Sequence, residues 1–325
     1  MRATMLWLGV TLVVLVLAIA AIAYGAVPIG AHAVIEAIAG RGDPVTVSIV
    51  RTLRLPRAVL ALLVGAGLGM AGAALQGALR NALAEPYLLG VSGGAAVGAV
   101  AAVALGASGP FILPLASFAG AALAIAVALL VARASGGRAD PRVLLMAGVI
   151  VGAFANAAIM VLLSNAPPNE VRNALWWMMG SVSDAAWVTV SWLAVYIALG
   201  GALLLWLARD IDILSLGEES AAALGVDAAR SSRSIFLIAA LLSAATVAAA
   251  GLVGFVGLVV PHLVRSFGVR RHRSLICGAA LVGAGLVVAA DLVARLARPP
   301  AELPLGAVTA LLGVPFFLVQ LRRLS

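Results

Sequence analysis

Apolar residues fill this chain in continuous blocks of about twenty, without the two-residue alternation of a β-strand. In lipid every backbone polar group needs an internal partner, so such blocks predict membrane-spanning helices rather than a barrel. We therefore expect an all-α, polytopic membrane protein, with one transmembrane domain over residues 1–325 and about ten spans. The expected spans lie near residues 5–26, 58–79, 88–107, 111–132, 143–164, 187–208, 235–254, 255–268, 274–294 and 304–321.

The eighth span is the hardest to place, because the apolar stretch 235–264 is too long for one straight helix and short for two. Arginine placement separates nine spans from ten, since cytoplasmic loops carry the excess of basic residues. With ten spans and both termini in the cytoplasm, fourteen arginines lie inside and seven lie outside. With nine spans, Arg270, Arg271 and Arg273 move outside and the bias largely disappears. Ten spans with a short, broken eighth are therefore predicted.

The two halves of the chain have the pattern of an inverted repeat. Spans two to five begin outside, spans seven to ten begin inside, and each group carries an interruption after its first span. The interruptions cover Asn81 to Pro86 in one half and Gly254 to Pro261 in the other. Broken elements at matching positions are typical of transporters.

Composition supports a lipid environment and excludes several other classes of protein. Hydrophobic residues make up 64% of the chain and charged residues 10%, whereas a soluble domain carries about a quarter charged residues. The net charge of +8 does not indicate nucleic-acid binding, because the chain has no basic run. The single cysteine, Cys277, excludes an internal disulfide framework, and no cluster has the spacing of a metal site. Gly65, Gly69 and Gly72 lie near one face of the second span and predict close helix packing.

Signatures of catalysis are missing from the sequence. It contains no HExxH, no GxSxG and no Walker loop with GK[ST], so we expect no enzyme activity and no cofactor in this chain. Ion-coupled carriers usually hold their ion with buried carboxylates, and here only Asp291 lies well inside a span. Arg295 is four residues further on, so we expect a structural salt bridge rather than an ion site. An ion-coupled secondary transporter remains the alternative of another class.

The loop between spans six and seven, about residues 209–233, contains the pattern of a short helix. Carboxylates in its first turn suit the helix dipole, a glycine can end it, and small apolar residues form one face. Such a helix can dock into a groove on a soluble partner, although an ordinary interfacial helix fits the same residues. The candidate contact residues are Leu216, Gly217, Glu218, Ala221, Leu224 and Gly225.

Several ordered motifs, together with this loop, resemble the vitamin B12, iron-siderophore and haem family of ABC importer permeases. The resemblance runs from about residue 50 to the end of the chain. Ala82 departs from it, since the family commonly has proline there, and we expect the local turn to be less rigid. The matching motifs are Arg54-Leu-Pro-Arg57, Gln76, Arg80–Gly94, Trp177–Ser181, Gly254–Arg265, Ala290–Arg295, Glu302–Gly306 and Gly313–Phe317.

The resemblance implies a homodimer around one translocation path, as a multi-pass protein in the inner membrane of a bacterium. It also implies two ATP-binding subunits, which would hold the ATP and Mg²⁺, and a periplasmic binding protein that delivers the cargo. The expected cargo is an iron complex, haem or a ferric siderophore, because these dominate the family. Import of cobalamin by the same mechanism is the alternative, and no nucleic-acid partner is expected.

The resemblance implies that Gly217 to Gly225 supply a coupling helix, which meets the ATP-binding subunit from the loop 209–233. It assigns roles to residues outside this coupling loop as well. Exposed guanidiniums at the periplasmic face would pair with carboxylates of the binding protein, although snorkelling also suits Arg54 and Arg57. A turn would close the cytoplasmic end of the path, although an ordinary capped turn fits it too. Haem ligation by His262 is an alternative to a structural role in the broken element. The residues are Arg54, Arg57 and Arg295 for docking, Asn81 and Leu83 for the gate, and Pro261, His262 and Arg265 for the broken element.

Overall fold

A computed structural model describes residues 2–25, 27–107, 111–134 and 141–322, and every regular element in them is a helix. The expected all-α class is therefore confirmed for this part of the chain. A π-helical turn at Ile49–Arg54 and a 3₁₀ turn at Pro86–Leu89 stand among the α-helices. The α-helices are α1 (Arg2–Ala23), α2 (Ala31–Ile38), α3 (Pro44–Ser48), α4 (Leu55–Ala78), α5 (Val91–Ala104), α6 (Ile112–Ala134), α7 (Pro141–Ser164), α8 (Pro168–Met178), α9 (Trp187–Trp206), α10 (Ala208–Leu214), α11 (Glu218–Ala223), α12 (Ala228–Ala250), α13 (Val256–Ser266), α14 (His272–Leu296) and α15 (Leu305–Arg322).

The apolar helices lie where the hydrophobic blocks predicted spans. In the described residues, seven helices are long and apolar enough to cross a membrane: α1, α4 with its N-terminal extension, α6, α7, α9, α12 and α14. Three shorter apolar helices, α5, α13 and α15, lie at the third, eighth and tenth predicted spans. The 11 residues of α13 extend only about 16 Å, roughly half of a hydrocarbon core. Seven helices thus have the length of spans, and the count of ten stays a prediction.

Helix α4 is the centre of the packing and contacts α9, α12, α13 and α14. Glycines let it approach its neighbours at backbone distance. A Cβ on Gly65 would lie 2.1 Å from the carbonyl oxygen of Gly283 in α14. A Cβ on Gly72 would lie 2.0 Å from the carbonyl oxygen of Gly257 in α13, and Gly69 makes a similar approach to α14. The predicted small-residue face of the second span is therefore confirmed.

The second span begins earlier than the sequence suggested. Helix α3, the π-helical turn and α4 form one continuous helix, Pro44–Ala78, of 35 residues. Asp43 caps its first turn by accepting a hydrogen bond from the Thr46 amide at 2.9 Å. The polar and basic residues ahead of Pro56 hid this extension from a hydropathy argument. The short helices α2, α8 and α10 were missed because they lack a span-length apolar block.

Two non-helical segments, residues 81–85 and 251–255, separate α4 from α5 and α12 from α13. They meet beside the middle of α4. A Cβ on Gly257 would lie 2.7 Å from Pro86 Cδ and 3.2 Å from the Leu68 carbonyl oxygen. The two breaks of the helical pattern therefore face each other inside the bundle.

The position of the second break differs from the prediction. Gly254 to Pro261 was expected to be interrupted, but the break ends at Phe255 and Pro261 lies within α13. A proline inside a helix removes one backbone hydrogen bond, which normally bends or ends the helix. Here the helix continues because another helix replaces the lost donor.

Candidate functional site

An ion cluster joins α4 to α14 and to the loop after α14. Arg57 donates to Asp291 through Nε and Nη2, at 3.0 and 2.8 Å, and to Glu302 through Nη1 and Nη2, at 2.8 and 2.7 Å. Arg295 Nε lies 3.1 Å from the other Asp291 oxygen, as an ion pair without hydrogen-bond geometry. Asp291 is only 1% exposed. The expected salt bridge between Asp291 and Arg295 is confirmed, and the structure adds Arg57 and Glu302 to it.

Arg54 and Arg295 also hold the end of α1. Arg54 Nη1 donates to the carbonyl oxygens of Ile22 and Ala23, at 2.9 and 2.8 Å. Arg295 Nη2 donates to the carbonyl oxygen of Ala21 at 3.1 Å. The last carbonyls of a helix have no partner within it, so these guanidiniums satisfy groups that lipid would leave unpaired.

The arginines assigned to docking are therefore not the exposed guanidiniums that the sequence analysis expected. Arg54 is 8% exposed, and the side chains of Arg57 and Arg295 are 12% and 7% exposed. Their guanidiniums are buried because the buried Asp291 carboxylate and the last carbonyl oxygens of α1 both need hydrogen-bond donors. A cavity of about 340 Å³ lies beside all three, and Ser183 and Glu302 also line it. A carboxylate of a docking protein would therefore have to compete with the partners that these arginines already have within the chain.

Glu302 is the most accessible member of this cluster, with 39% of its side chain exposed. Hydrogen bonds from Arg57 hold the pKa of the Glu302 carboxyl below its usual range. A carboxyl whose folded pKa is lowered adds stability above its unfolded pKa, and that stability is lost as the pH falls through the folded value. The contact between this loop and α4 should therefore loosen only in acid, and the partial exposure keeps its contribution small.

Side chains of the first break hold the backbone of the second. Glu85 Oε1 accepts a hydrogen bond from the Phe255 amide at 2.7 Å, and the Tyr87 hydroxyl accepts one from the Val253 amide at 2.9 Å. Phe255 has a φ of +67°, a region that bulky residues rarely adopt. Non-helical backbone inside a bundle persists only where such partners exist. Glu85 and Tyr87 lie within the motif Arg80–Gly94, but no local pattern indicates their bonds to the second break.

Gln76 explains why α13 continues through its proline. In an unbroken helix the amide of residue 261 would bond the Gly257 carbonyl, and Pro261 has no such amide. Gln76 Nε2 donates instead to the carbonyl oxygens of Gly257 and Leu258, at 3.2 and 3.1 Å. Gln76 Oε1 accepts a hydrogen bond from Arg265 Nη1 at 2.6 Å. This bridge fastens α13 to α4 on both sides of Pro261.

Replacing Gln76 with leucine should lower the free energy of unfolding by about 1–3 kcal/mol, because the buried Gly257 carbonyl and the Arg265 guanidinium lose this partner. Unfolding of the purified protein by SDS, followed by tryptophan fluorescence, would measure the loss. Ser266→Ala is the control, since the Ser266 hydroxyl bonds only the Leu263 carbonyl of its own helix. Equal midpoints for Gln76→Leu and Ser266→Ala would contradict the bridging role.

The turn after α4 contains both predicted gate residues. Asn81 Oδ1 accepts a hydrogen bond from the Leu83 amide at 2.9 Å, which closes an Asx turn, and Leu83 is 49% exposed. His262 Nε2 lies 2.8 Å from the carbonyl oxygen of Ala82, and its ring meets Phe317 edge-on. His262 therefore ties the turn to α13. Haem ligation through this nitrogen would require it to leave the Ala82 carbonyl.

The short helix of the coupling loop is α11. Gly217 precedes it with a φ of +116°, and Gly225 follows it with a φ of +77°, conformations that glycine adopts without strain. Leu216 and Leu224 are 67% and 57% exposed. Ala221 was expected on the same face but is fully buried, because that side of α11 packs on α10 and α12. The large apolar side chains that this segment offers to a partner are therefore the two leucines.

Helix α10, which was not predicted, lies directly ahead of α11. It carries two carboxylates, each of which accepts a hydrogen bond from another helix. Asp212 Oδ1 accepts a hydrogen bond from the His272 amide at 2.9 Å and lies 2.7 Å from its ring Nδ1. Asp210 accepts a hydrogen bond from the Ser231 hydroxyl at 2.7 Å. Hydropathy marked this stretch only as polar and could not identify its partners. The side chain of Glu218, a predicted coupling residue, lies outside the described part of the chain.

These polar side chains are arranged to connect helices. They link α4 to α14, α4 to α13, and α10 to α14. In the described ranges, no group of three or more His, Cys, Asp or Glu side chains is placed to hold a metal ion. The arrangement suits a protein whose helices must stay in register or move together.

Comparison with known proteins agrees with this arrangement. The chain matches the model of the FecCD transport family over residues 12–323. It is 43% identical over 274 residues to the cobalamin import system permease protein BtuC of Halobacterium salinarum, covering 84% of this chain and 73% of that protein. It is 39% identical over 274 residues to the hemin transport system permease protein HmuU of Yersinia pestis, covering 83% and 82%.

A solved structure has the same fold over nearly the whole chain. It is described as an inward-facing conformation of a candidate metal-chelate type ABC transporter. The superposition gives a TM-score of 0.88 at 30% identity and covers 98% of this chain and 99% of that one.

Proposed function

This chain belongs to the FecCD transport family and is a permease of an ABC importer, and on this premise we propose that it carries an iron complex from the periplasm to the cytoplasm. The proposed cargo is haem or a ferric siderophore. Two ATP-binding subunits, each holding ATP and Mg²⁺, and a periplasmic binding protein complete the transporter. The observation that carries this proposal is the family match over residues 12–323, joined to the exposed Leu216 and Leu224 that flank the short helix of the coupling loop.

We propose ten spans, with both termini in the cytoplasm of a bacterial inner-membrane protein. Of the three shorter apolar helices, α13 reaches a span's length only together with the non-helical residues 251–255 that precede it. The arginine distribution supports the orientation. In this orientation the ion cluster around Asp291 would lie at the periplasmic end of the bundle. The pair Asp212 and His272 would lie at the cytoplasmic end.

A homodimer is proposed because α7 carries a polar side chain on a face that a single chain leaves open. Helix α7, like α1, α6 and α9, leaves most of its residues unburied, whereas most residues of the continuous helix ending in α4 are buried. Asn156 lies near the middle of α7 and is exposed. An amide at this depth is costly in lipid, so α7 is better suited to a water-filled path or a second copy. We therefore propose that α7 faces the path on the two-fold axis.

The coupling helix α11 is proposed to enter a groove of the ATP-binding subunit. Leu216 and Leu224 supply the apolar contact, and Gly217 and Gly225 set the turns that present them. Glu218 is proposed at the start of the helix, while Ala221 holds the helix on its own chain. When the two ATP-binding subunits close around bound ATP, they would then move α11 as a rigid body.

Replacing Leu224 with aspartate should lower the affinity for the ATP-binding subunit by about 2 kcal/mol or more, because an apolar contact is replaced by a desolvated charge. Co-purification and stimulation of ATP hydrolysis would both be measured. Ser215→Asp is the control, because it adds the same charge at an exposed residue of the same loop that lies outside α11. Unchanged assembly of the Leu224→Asp variant would contradict the proposed contact.

Docking of the binding protein is proposed at the cavity beside Arg54, Arg57 and Arg295. A carboxylate entering this cavity would meet guanidiniums that already hold Glu302 and the end of α1. Such an incoming carboxylate would share Arg57 with Glu302 or replace it. The cytoplasmic gate is proposed at Asn81 and Leu83, whose turn is tied to α13.

The cargo is tested by purifying the cognate binding protein with the permease and titrating it with haem, a ferric siderophore and cobalamin. Tight binding of an iron complex supports the proposal. Preferential binding of cobalamin would favour the alternative, which the similarity to a cobalamin permease supports. Tight binding of an unrelated nutrient, such as a sugar, would overturn both.

A further inference from the structure

The end of α4 brings the coupling loop and the gate turn to one point. Gly77, in the last turn of α4, packs directly against α10 and α14. A Cβ on Gly77 would lie 2.3 Å from His272 Nε2 and 2.4 Å from Ile211 Cγ2. Ile211 is fully buried, and His272 Nε2 has no hydrogen-bond partner among the described residues. The imidazole is therefore held by its contacts with Gly77 on one side and Asp212 on the other.

The gate turn is built directly on these last residues of α4. The Arg80 amide bonds the Gly77 carbonyl at 3.3 Å, and the Asn81 amide bonds the Gln76 carbonyl at 3.2 Å. Arg80 is held at a φ of +48°, in the left-handed region. A small displacement of Gly77 therefore changes the geometry of the turn that carries Asn81.

The coupling helix is joined to the same point. Helix α10 runs into α11 through a tight turn in which the Gly217 amide bonds the Leu214 carbonyl at 3.1 Å. On the other side, Arg80 Nη1 lies 3.5 Å from the position of a Cβ on Gly217. The pair Asp212 and His272 fastens α10 to the start of α14. A displacement of α11 therefore reaches Gly77 through α10 and His272.

We propose that Asp212 and His272 form the joint through which the coupling helix moves the cytoplasmic gate. The inference rests on the proposed function and extends it by naming positioning residues. Asp212 holds His272 by two contacts to one carboxylate oxygen, and His272 presses on Gly77. Both residues act through α4 and neither touches the cargo or the nucleotide. Discrete contacts of this kind are what couples two sites through a rigid-body switch.

Asp212→Ala tests the joint in liposomes that contain the permease, its ATP-binding subunit and the binding protein. Cargo uptake and ATP hydrolysis are measured on the same preparation. We expect uptake per ATP to fall about tenfold while assembly is kept, because hydrogen bonds to a charged group are lost. Asp212→Asn keeps the acceptor oxygen and should stay within about twofold of the unaltered protein. An unchanged ratio in Asp212→Ala would overturn the proposal.

Asp43→Ala is the matched control. Asp43 also accepts a hydrogen bond from a first-turn amide at 2.9 Å, but it caps α3 and has no link to Gly77. His272→Asn gives a second test, because its amide can still donate to Asp212 while the ring edge against Gly77 is gone. The proposal requires His272→Asn to lower uptake per ATP as well. A normal ratio in that variant would overturn it.

Hydrogen exchange separates this inference from the proposed function. In the isolated permease, Asp212→Ala should speed exchange at the amides of Asn81 and Ala84 by about tenfold, with no change in Asp43→Ala. Failure of the unaltered protein to import any cargo with ATP would refute the proposed function. The exchange rates would still show whether Asp212 and His272 hold the gate turn. Unaltered exchange at both amides in Asp212→Ala would refute the joint alone.

Discussion

Replacing Asp291 with asparagine should cost about 3–5 kcal/mol of unfolding free energy, because it leaves two buried guanidiniums without their shared carboxylate. Arg57 donates hydrogen bonds to Asp291, and Arg295, one helical turn further along α14, pairs with the same carboxylate. Without the carboxylate, the positive charges of two largely buried side chains repel each other. SDS-induced unfolding should show a much earlier midpoint.

The charge origin of this effect can be separated from packing. Asp184→Asn is the control, because Asp184 is exposed in the loop before α9. Adding Arg295→Met to Asp291→Asn should recover part of the loss, since one uncompensated charge is removed. A midpoint for Asp291→Asn equal to that of Asp184→Asn would show that the cluster does not stabilise the fold.

Replacing Gly72 with alanine should destabilise the bundle by about 3 kcal/mol or more, because the new methyl group meets backbone that cannot rotate away. Its Cβ would lie 2.0 Å from the Gly257 carbonyl oxygen. The same oxygen accepts a hydrogen bond from Gln76, so α13 would lose its attachment to α4 as it is pushed away. Gly65→Ala should act similarly through Gly283.

Gly9→Ala is the matched control for these substitutions. Gly9 lies in α1, and no atom lies within 4 Å of its added Cβ. Alanine there should be neutral or stabilise the helix by up to about 1 kcal/mol, since glycine is a poor helix former. Thermal unfolding in detergent compares the variants directly. Similar melting temperatures for Gly72→Ala and Gly9→Ala would mean that the close approach is not needed.

Hydropathy and spacing predicted the features that one segment determines alone. The positions of the apolar helices, the small face with Gly65 and Gly72, and the short helix ending before Gly225 all follow from local pattern. The pair Asp291 and Arg295 also follows, because residues four apart share a helix face.

Features that depend on distant partners could not be predicted. Arg57 lies 234 residues from Asp291, and no local pattern relates them. The break was expected to reach Pro261, because the donor that rescues the helix, Gln76, lies 181 residues away from the carbonyl it bonds. An alanine such as Ala221 suits a surface that contacts a partner as well as one that packs on its own chain, so the sequence alone does not distinguish the two. Long-range contacts decide each of these cases.

The most direct test of the account is cargo uptake by liposomes containing this permease. We expect uptake of an iron complex, haem or a ferric siderophore, only when ATP, the ATP-binding subunit and the loaded binding protein are all present. Collapse of a proton gradient should leave that uptake unchanged. Uptake driven by a proton gradient, without an ATP-binding subunit, would contradict the account and identify an ion-coupled transporter.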